Sequence, residues 1–576
     1  MDLNPRLSAE QSQPKRSPLA DLLVLGAIVT VILGLLEMGR QFRHPFQNEV
    51  DISLSPWMLP FYTFLSFMRG ATAYVLSFLF TLVYARWAAY DKQAERFLIP
   101  LLDILQSLPL SAFLVPIELA LVGLFPHSNL GIELSCIIVI FTGQVWNMTF
   151  SFYYSLKALP DDFKFVGHLA RFTPWQRFTQ IELPFSVKGL VYNSMVSIAG
   201  GWFFLSLTEA FSLGPNENCY VQGVGSYMKV AQDQNNGWAQ FYAVTAMILM
   251  IVAIDQLIWR PLIVWSNKFK IEDTEAEFQE RSALLRFLSR SRLMAWIGET
   301  FGRLFLKPVP HQVAAAQAPV QPRPRVLAWV PWYKIFLVFS LALVGYGAWL
   351  VFQLLWVVTP SQWLTIALDL LLTLGRVLGA VFLSTLIAVP IGVWIGANPR
   401  LASYLMPLTQ IAASFPAPMI YANIVLLIYY FHGNLEWGSV VLMIFGAVWY
   451  IMFNVISGAS AVPQDLRACT QLTHLSRWQQ WRTLWLPGIF PALTTGWITA
   501  AGGAWNASIA SEYVQLGDKT YAATGLGALI SGAQNNNKFS LLAASVLAMA
   551  LFVVIFNRFV WKRLSAYAQE RFQLIT

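Results

Sequence analysis

Four ionisable residues stand where a charge is costly. Arg69 and Arg376 lie about ten residues into long apolar runs, and Glu209 and Glu512 stand near the ends of two others. A pair of arginines at a membrane pathway could attract an oxyanion through bidentate hydrogen bonds. The alternative is an Arg–Glu ion pair that holds the helices of one unit together. Ser107, Pro109, Ser414 and Pro416 interrupt two further apolar runs. Helices broken in this way expose backbone groups and can line a pathway; a packing kink is the other reading. Two polar segments, 158–184 and 461–487, are unlike anything around them. Each opens with Pro and a carboxylate (Asp161 and Asp162; Asp465), which suit a helix N-terminus. Each has a basic, aromatic middle: Arg171, Trp175 and Arg177 in one, His474, Arg477, Trp478 and Arg482 in the other. They stop at Leu183-Pro184 and Leu486-Pro487. Such faces suit docking to a soluble partner, or anchoring at lipid headgroups. Covalent chemistry has no visible constellation. The six histidines are scattered, and LGDKTY (516–521) lacks the GxxxxGK[ST] spacing that wraps a phosphate.

The elements that position these residues follow from composition. Of 576 residues, 56% are hydrophobic and 12% charged, where a soluble domain carries about 25% charged. That excludes a soluble enzyme, a disordered chain and a disulfide-stapled secreted domain. Cys136, Cys219 and Cys469 show no CxxC spacing, so no zinc site is implied, and nothing points to nucleic acid. Apolar runs fall near 20–37, 59–85, 97–124, 133–156, 186–212 and 239–265, then near 335–358, 365–396, 402–431, 438–457, 489–513 and 539–561. The expected fold is an all-α polytopic membrane protein of about 12 spans. With the N-terminus inside, the outer loops hold only Arg40, Arg43, Lys229, Lys519 and Lys538 of the 38 Lys and Arg. The positive-inside rule then puts both termini in the cytoplasm.

The two polar segments align with each other. At a constant shift of 303, Pro160 meets Pro463, Asp162 meets Asp465, Trp175 meets Trp478, and Leu183-Pro184 meets Leu486-Pro487. The register runs on through Trp202 and Trp505 to Glu209 and Glu512. Upstream, at a shift of 307, Arg69 meets Arg376, and Ser107 and Pro109 meet Ser414 and Pro416. The chain is a tandem duplication of six-helix halves. An even span number gives both halves the same orientation, with a pathway between them. The expected boundaries are a cytoplasmic tail (1–18), half 1 (19–265, core about 60–265), a cytoplasmic connector (266–333), half 2 (334–563, core about 367–563) and a tail (564–576). Within the connector, 277–308 reads as a basic amphipathic helix on the inner membrane surface or on the protein's own inner face. Residues 308–325 read as a Pro/Ala-rich tether.

On these residues the chain resembles the permease subunits of type I ABC importers, nitrate/sulfonate/taurine branch. Their cytoplasmic EAA loop has the pattern EAA-x3-G-x9-I-x-LP, and its end stands here as Ile181-Glu182-Leu183-Pro184 and Leu484-Trp485-Leu486-Pro487. LQSLPLSAFLVPIELAL (105–121) and ASFPAPMIYANIVLLIYY (413–430) resemble the branch's Pro-rich third element. Glu209 and Glu512, followed by Gly223-Val224-Gly225 and Gly525-Leu526-Gly527, resemble its AE…GLG stretch. The departures lie in the loop itself. Phe165-Val166-Gly167 and Ala468-Cys469-Thr470 occupy the EAA triplet, and Arg171 and His474 replace the glycine.

The resemblance implies a passive permease in a prokaryotic cytoplasmic membrane. Two separate ABC ATPase subunits, holding ATP and Mg, would grip Asp162, Arg171, Trp175, Arg177, Asp465, His474, Arg477 and Trp478. An extracytoplasmic solute-binding protein would deliver a small solute of the nitrate, sulfonate, taurine or bicarbonate type. No cofactor is expected in this chain itself. The rival is a 12-helix secondary transporter of the major facilitator type, whose second-to-third loop 392–407 resembles. That family has no Trp-bearing, Leu-Pro-terminated segment between its fourth and fifth spans.

Overall fold

The computed structural model describes residues 17–44, 50–214, 217–269, 283–288, 290–305, 332–517 and 519–572. The N-terminal tail before Ser17 and the Pro/Ala-rich tether lie outside them. Half 1 runs α1 (Pro18–Arg43), α2 (Leu59–Tyr90), α3 (Lys92–Ser107), α4 (Leu110–Leu124), α5 (Leu130–Lys157), α6 (Asp161–Leu169), α7 (Pro174–Arg177) and α8 (Leu183–Thr208). An antiparallel hairpin, β1 (Ala210–Gly214) and β2 (Glu217–Tyr220), then leads to α9 (Val224–Asp233), α10 (Gly237–Ile254) and α11 (Arg260–Ser266). The connector supplies α12 (Ala283–Leu288) and α13 (Arg292–Phe305). Half 2 repeats the order with α14 (Trp332–Trp356), α15 (Pro360–Gly396), α16 (Pro399–Ser414), α17 (Pro418–Tyr430), α18 (Leu435–Ser460), α19 (Gln464–Leu472), α20 (Arg477–Gln480) and α21 (Leu486–Glu512). The hairpin β3 (Tyr513–Leu516) and β4 (Lys519–Ala522) follows, then α22 (Leu526–Asn535), α23 (Phe539–Phe556) and α24 (Lys562–Phe572).

Among the described residues, eight helices are long and apolar enough to span a membrane, or ten if two bent pairs each count as one span. The bends, 94° between α3 and α4 and 84° between α16 and α17, fall at the Ser-x-Pro positions, where a missing N–H and a fixed φ end one helix and start another. The two other expected spans are α14 and the Gly-, Ala- and Thr-rich α21. Two small hairpins depart from the all-α expectation. In each half the central helix packs between two others: α5 between α2 and α8, α18 between α15 and α21. The seams are tight because small residues let backbones approach. A Cβ on Gly503 would sit 2.3 Å from the Gly446 carbonyl oxygen.

The buried charges form one duplicated fastening. Arg69 donates to both oxygens of Glu133 (2.6 and 2.7 Å) and from Nη1 to Glu209 (2.8 Å) and the Gln222 carbonyl (2.8 Å). Glu209 also accepts from Ser66 (2.6 Å) and the Gly225 N–H (2.7 Å), and the Val224 N–H bonds Ser66 (3.0 Å). In half 2 Arg376 bonds Glu512 (3.0 Å), the Thr524 carbonyl (2.8 Å) and Glu436. Thr373 and the Gly527 N–H bond Glu512 at 2.9 and 2.8 Å, and the Leu526 N–H bonds Thr373 at 2.8 Å. Each network ties three long helices to the N-terminus of the short helix after the hairpin. Of the two alternatives for these arginines, the structure shows the ion pair. The halves differ at the rim: Glu133 is 4% exposed and Glu436 42%.

The connector does not stand apart from the bundle. Asp21 of α1 accepts from the Ser291 hydroxyl (2.6 Å) and the Leu293 N–H (3.0 Å), so it caps α13. The expected single helix over 277–308 is described as two, α12 and α13.

Three outcomes are expected. A double-mutant cycle on Arg376 and Glu512, read by thermal unfolding in detergent, should give a coupling of about 1–3 kcal/mol; additive effects would remove the pairing. The half-exposed Arg376–Glu436 pair should give less than about 1 kcal/mol in the same cycle. Arg171 and His474 hold φ of 51° and 49°, the left-handed region that favours glycine. Arg171→Gly and His474→Gly should therefore each raise stability by about 0.5–1 kcal/mol in that assay, and a loss would show that the side chains hold the turn.

Candidate functional site: two exposed segments and a central cavity

Each polar segment folds as a helix, a left-handed turn and a second short helix. Asp161 and Asp162 lie in the first turn of α6, and the Lys164 ammonium, 2.9 Å away, holds the Asp161 carboxyl below its ordinary value. The turns end in matching capping boxes, Thr173 with Gln176 and Ser476 with Gln479, which satisfy the free N–H groups of α7 and α20. Each short helix then runs through one π-helical turn, Phe178–Glu182 or Trp481–Trp485, into the long helix. Leu183-Pro184 and Leu486-Pro487 open α8 and α21 directly after these π turns.

Asp162, Arg171 and Trp175 are exposed and Arg177 is half-buried; Asp465, His474, Arg477 and Trp478 are all exposed. Apolar side chains accompany them. Phe165, Leu169, Leu472 and Trp478 are 67%, 75%, 78% and 72% exposed. Exposed apolar side chains among charged ones are a composition found on surfaces that meet partners.

The two segments are fastened differently to the bundle. In half 1, Arg86 of α2 donates to Glu182 (2.7 Å) and the Pro174 carbonyl (3.2 Å) and stacks over Phe178. Half 2 has Trp485 in place of Glu182. There Arg467 of α19 donates to the carbonyls of Ala397 (3.3 Å), Ala459 (2.8 Å) and Ser460 (3.3 Å) and stacks over Trp485, while its Nε has no partner among the described residues.

Between the halves lies a cavity of about 1450 Å³. It reaches the segment-bearing side, where Gly396, Ser460, Val462 and Arg467 line it, and extends inward past Trp146 and Trp449 to Phe203 and Asn506. At the hairpin-bearing side the halves are stitched together by hydrogen bonds. Ser111 bonds the Asn506 carbonyl (2.9 Å), Gln232 the Met419 carbonyl (2.8 Å), Asn423 bonds Gln240 (2.9 Å), and Lys229 the Gln515 carbonyl (3.1 Å). The Gly517 N–H donates to Asp233 (3.2 Å).

Of the expected pathway residues, Ser414 lines the cavity, and Pro109 and Pro416 shape the bends beside it. Ser107 ends α3; its neighbours Gln106 and Leu108 line the cavity. Arg69, Glu209, Arg376 and Glu512 are not among the lining residues; they stand in the ion-pair networks. Several functional residues escaped the sequence reading. Glu133 and Glu436, and the cavity's Trp146 and Trp449, obey the 303 shift, and extending the register upstream would have found them. No sequence signal marks Arg86 as the partner of Glu182.

Comparison with known proteins fits this geometry. The sequence profile described as binding-protein-dependent transport system inner membrane component matches residues 77–258 and 388–561. The trimethylamine N-oxide transport system permease protein TmoV of Pelagibacter ubique is 21% identical over 469 residues, which cover 73% of this chain and 60% of that protein. The nitrate import permease protein NrtB of Synechocystis is 24% identical over 195 residues, 34% of this chain and 67% of that protein. The taurine transport system permease protein TauC of Escherichia coli is 24% identical over 179 residues, 31% of this chain and 62% of that protein. The chain thus spans about three fifths of the length of TmoV. Matched once in each half, the chain belongs to the family of binding-protein-dependent transport system inner membrane components, as two permease domains fused in one polypeptide.

Proposed function

We propose that this chain is the membrane-spanning subunit of an ATP-driven importer of the prokaryotic cytoplasmic membrane, and that it moves a small solute by alternating access. Both termini and both coupling segments face the cytoplasm in this reading. Two separate ATPase subunits, with their ATP and Mg, each receive one segment, and an extracytoplasmic solute-binding protein delivers the solute at the hairpin-bearing face. The chain supplies no covalent step. The names of its relatives cover trimethylamine N-oxide, nitrate, bicarbonate and taurine, which sets the size of solute to consider.

One observation carries the reading: two matching segments with uncovered aromatic and basic faces stand at the end of the bundle away from the hairpins, the end where Val462 and Arg467 of the second segment line the cavity mouth. Pulling both segments together would close that mouth. The hydrogen bonds across the opposite face are few and join neutral groups, apart from those of Lys229 and Asp233, so they can part without stranding a buried charge. In this reading the resting state is open to the cytoplasm.

The coupling role is tested in the purified complex with its ATPase subunits. Trp175→Ala with Trp478→Ala should lower the solute moved per ATP hydrolysed by about tenfold, as loss of aromatic anchors at an interface would. The helical circular-dichroism signal and thermal midpoint should stay unchanged. Normal coupling in the double variant would sink the docking role.

A further inference from the structure

The cavity wall carries a chemical preference that neither the resemblance nor the relatives' names decide. Its charged lining residues are Asp103, Asp255, Arg260 and Arg467, so positive and negative charges cancel. Each is already engaged. Asp255 faces Arg260 at 3.4 Å, Asp103 bonds Lys562, and Arg467 is held by three backbone carbonyls at the mouth. The two arginines buried deeper, Arg69 and Arg376, are spent on their glutamates outside the lining. Arg467, at the mouth, is the one lining cation with no carboxylate partner among the described residues; deeper in, an oxyanion that left water would meet no unpaired cation among the described lining residues, and an uncompensated charge in a low-dielectric interior is strongly disfavoured.

What the wall does offer is aromatic and neutral. Trp146 and Trp449 occupy the same position in the two repeats, and both line the cavity. Neither indole N–H has a partner among the described residues. Side-chain amides come from both halves as well. Asn193 and Asn454 donate their NH₂ groups to backbone carbonyls of their own helices, Gly189 at 3.0 Å and Tyr450 at 2.8 Å. Their side-chain carbonyl oxygens therefore remain as acceptors with no donor among the described residues. Indole faces attract flat or methyl-bearing groups and any partial positive charge.

We propose that the transported solute is an organic molecule with no net negative charge. Its apolar or methylated face lies against Trp146 and Trp449, and a hydrogen-bond-donating edge meets the carbonyl oxygens of Asn193 and Asn454. This inference rests on the transport reading above, and it selects the net-neutral or cationic members from the range of solutes that reading leaves open.

The test uses proteoliposomes of the whole complex, with ATP inside and the binding protein outside. They receive the low-molecular-weight fraction of a cell extract, spiked with nitrate and ethanesulfonate, and mass spectrometry and ion chromatography identify what accumulates with ATP. The expected result is one or a few organic species without net negative charge. Trp146→Ala with Trp449→Ala should cut their uptake by about tenfold, and the corresponding Phe pair should recover most of it, because the ring face carries the contact. Accumulation of nitrate, ethanesulfonate or any other net anion would overturn the inference and leave the transport reading standing. Unchanged uptake by the Ala pair would also overturn it. Accumulation of nothing at all would overturn the transport reading on which it rests.

Discussion

A guanidinium buried in a membrane protein demands counter-charges and hydrogen-bond acceptors, and this demand organises each half of the chain. Arg69 meets it with Glu133, Glu209 and the Gln222 carbonyl; Arg376 meets it with Glu436, Glu512 and the Thr524 carbonyl. These partners come from three long helices and from the loop that begins the short helix after each hairpin. No one of those elements can shift far without stranding a charge in a low-dielectric interior, which costs several kcal/mol or more. Each half is therefore rigid where its helices, hairpin and short helix meet. The glycines beside the carboxylates belong to the same constraint, since a Cβ on Gly223 or Gly525 would fall 2.3 or 2.5 Å from a carboxylate atom.

The contact between halves is of another kind. Side-chain amides, one hydroxyl and backbone carbonyls join the halves beside the Asp103–Lys562 ion pair and the bonds of Lys229 and Asp233, and each neutral bond contributes about 1 kcal/mol. The bends of α3–α4 and α16–α17 place loosened backbone beside the cavity between the halves, in a membrane protein tolerable only where protein or water covers it.

Much of this was legible in the sequence, because duplication writes each constraint twice. Pro, Trp, Arg and Glu in register exposed the repeat, the bends followed from Ser-x-Pro, and the Leu-Pro endings located the junction of each exposed segment with its long helix. What stayed hidden depends on tertiary partners. Glu133 and Glu436 sit in the first turns of α5 and α18, where an acid reads as ordinary helix-dipole compensation. The π-helical turns leave no compositional trace. The left-handed turns at Arg171 and His474 could not be read from two residues that rarely adopt them. The choice between pathway and ion pair for the arginines needed coordinates, since either use predicts the same residues at the same spacing.

The unequal fastenings of the two segments, Arg86 on Glu182 in one half and Arg467 on Trp485 in the other, carry a consequence for assembly. A permease made of two identical polypeptides must present a single surface twice, so any substitution serves both positions or neither. Covalent linkage removes that symmetry requirement and fixes a one-to-one ratio of the unlike copies. Each copy is then free to diverge in sequence without its twin having to follow.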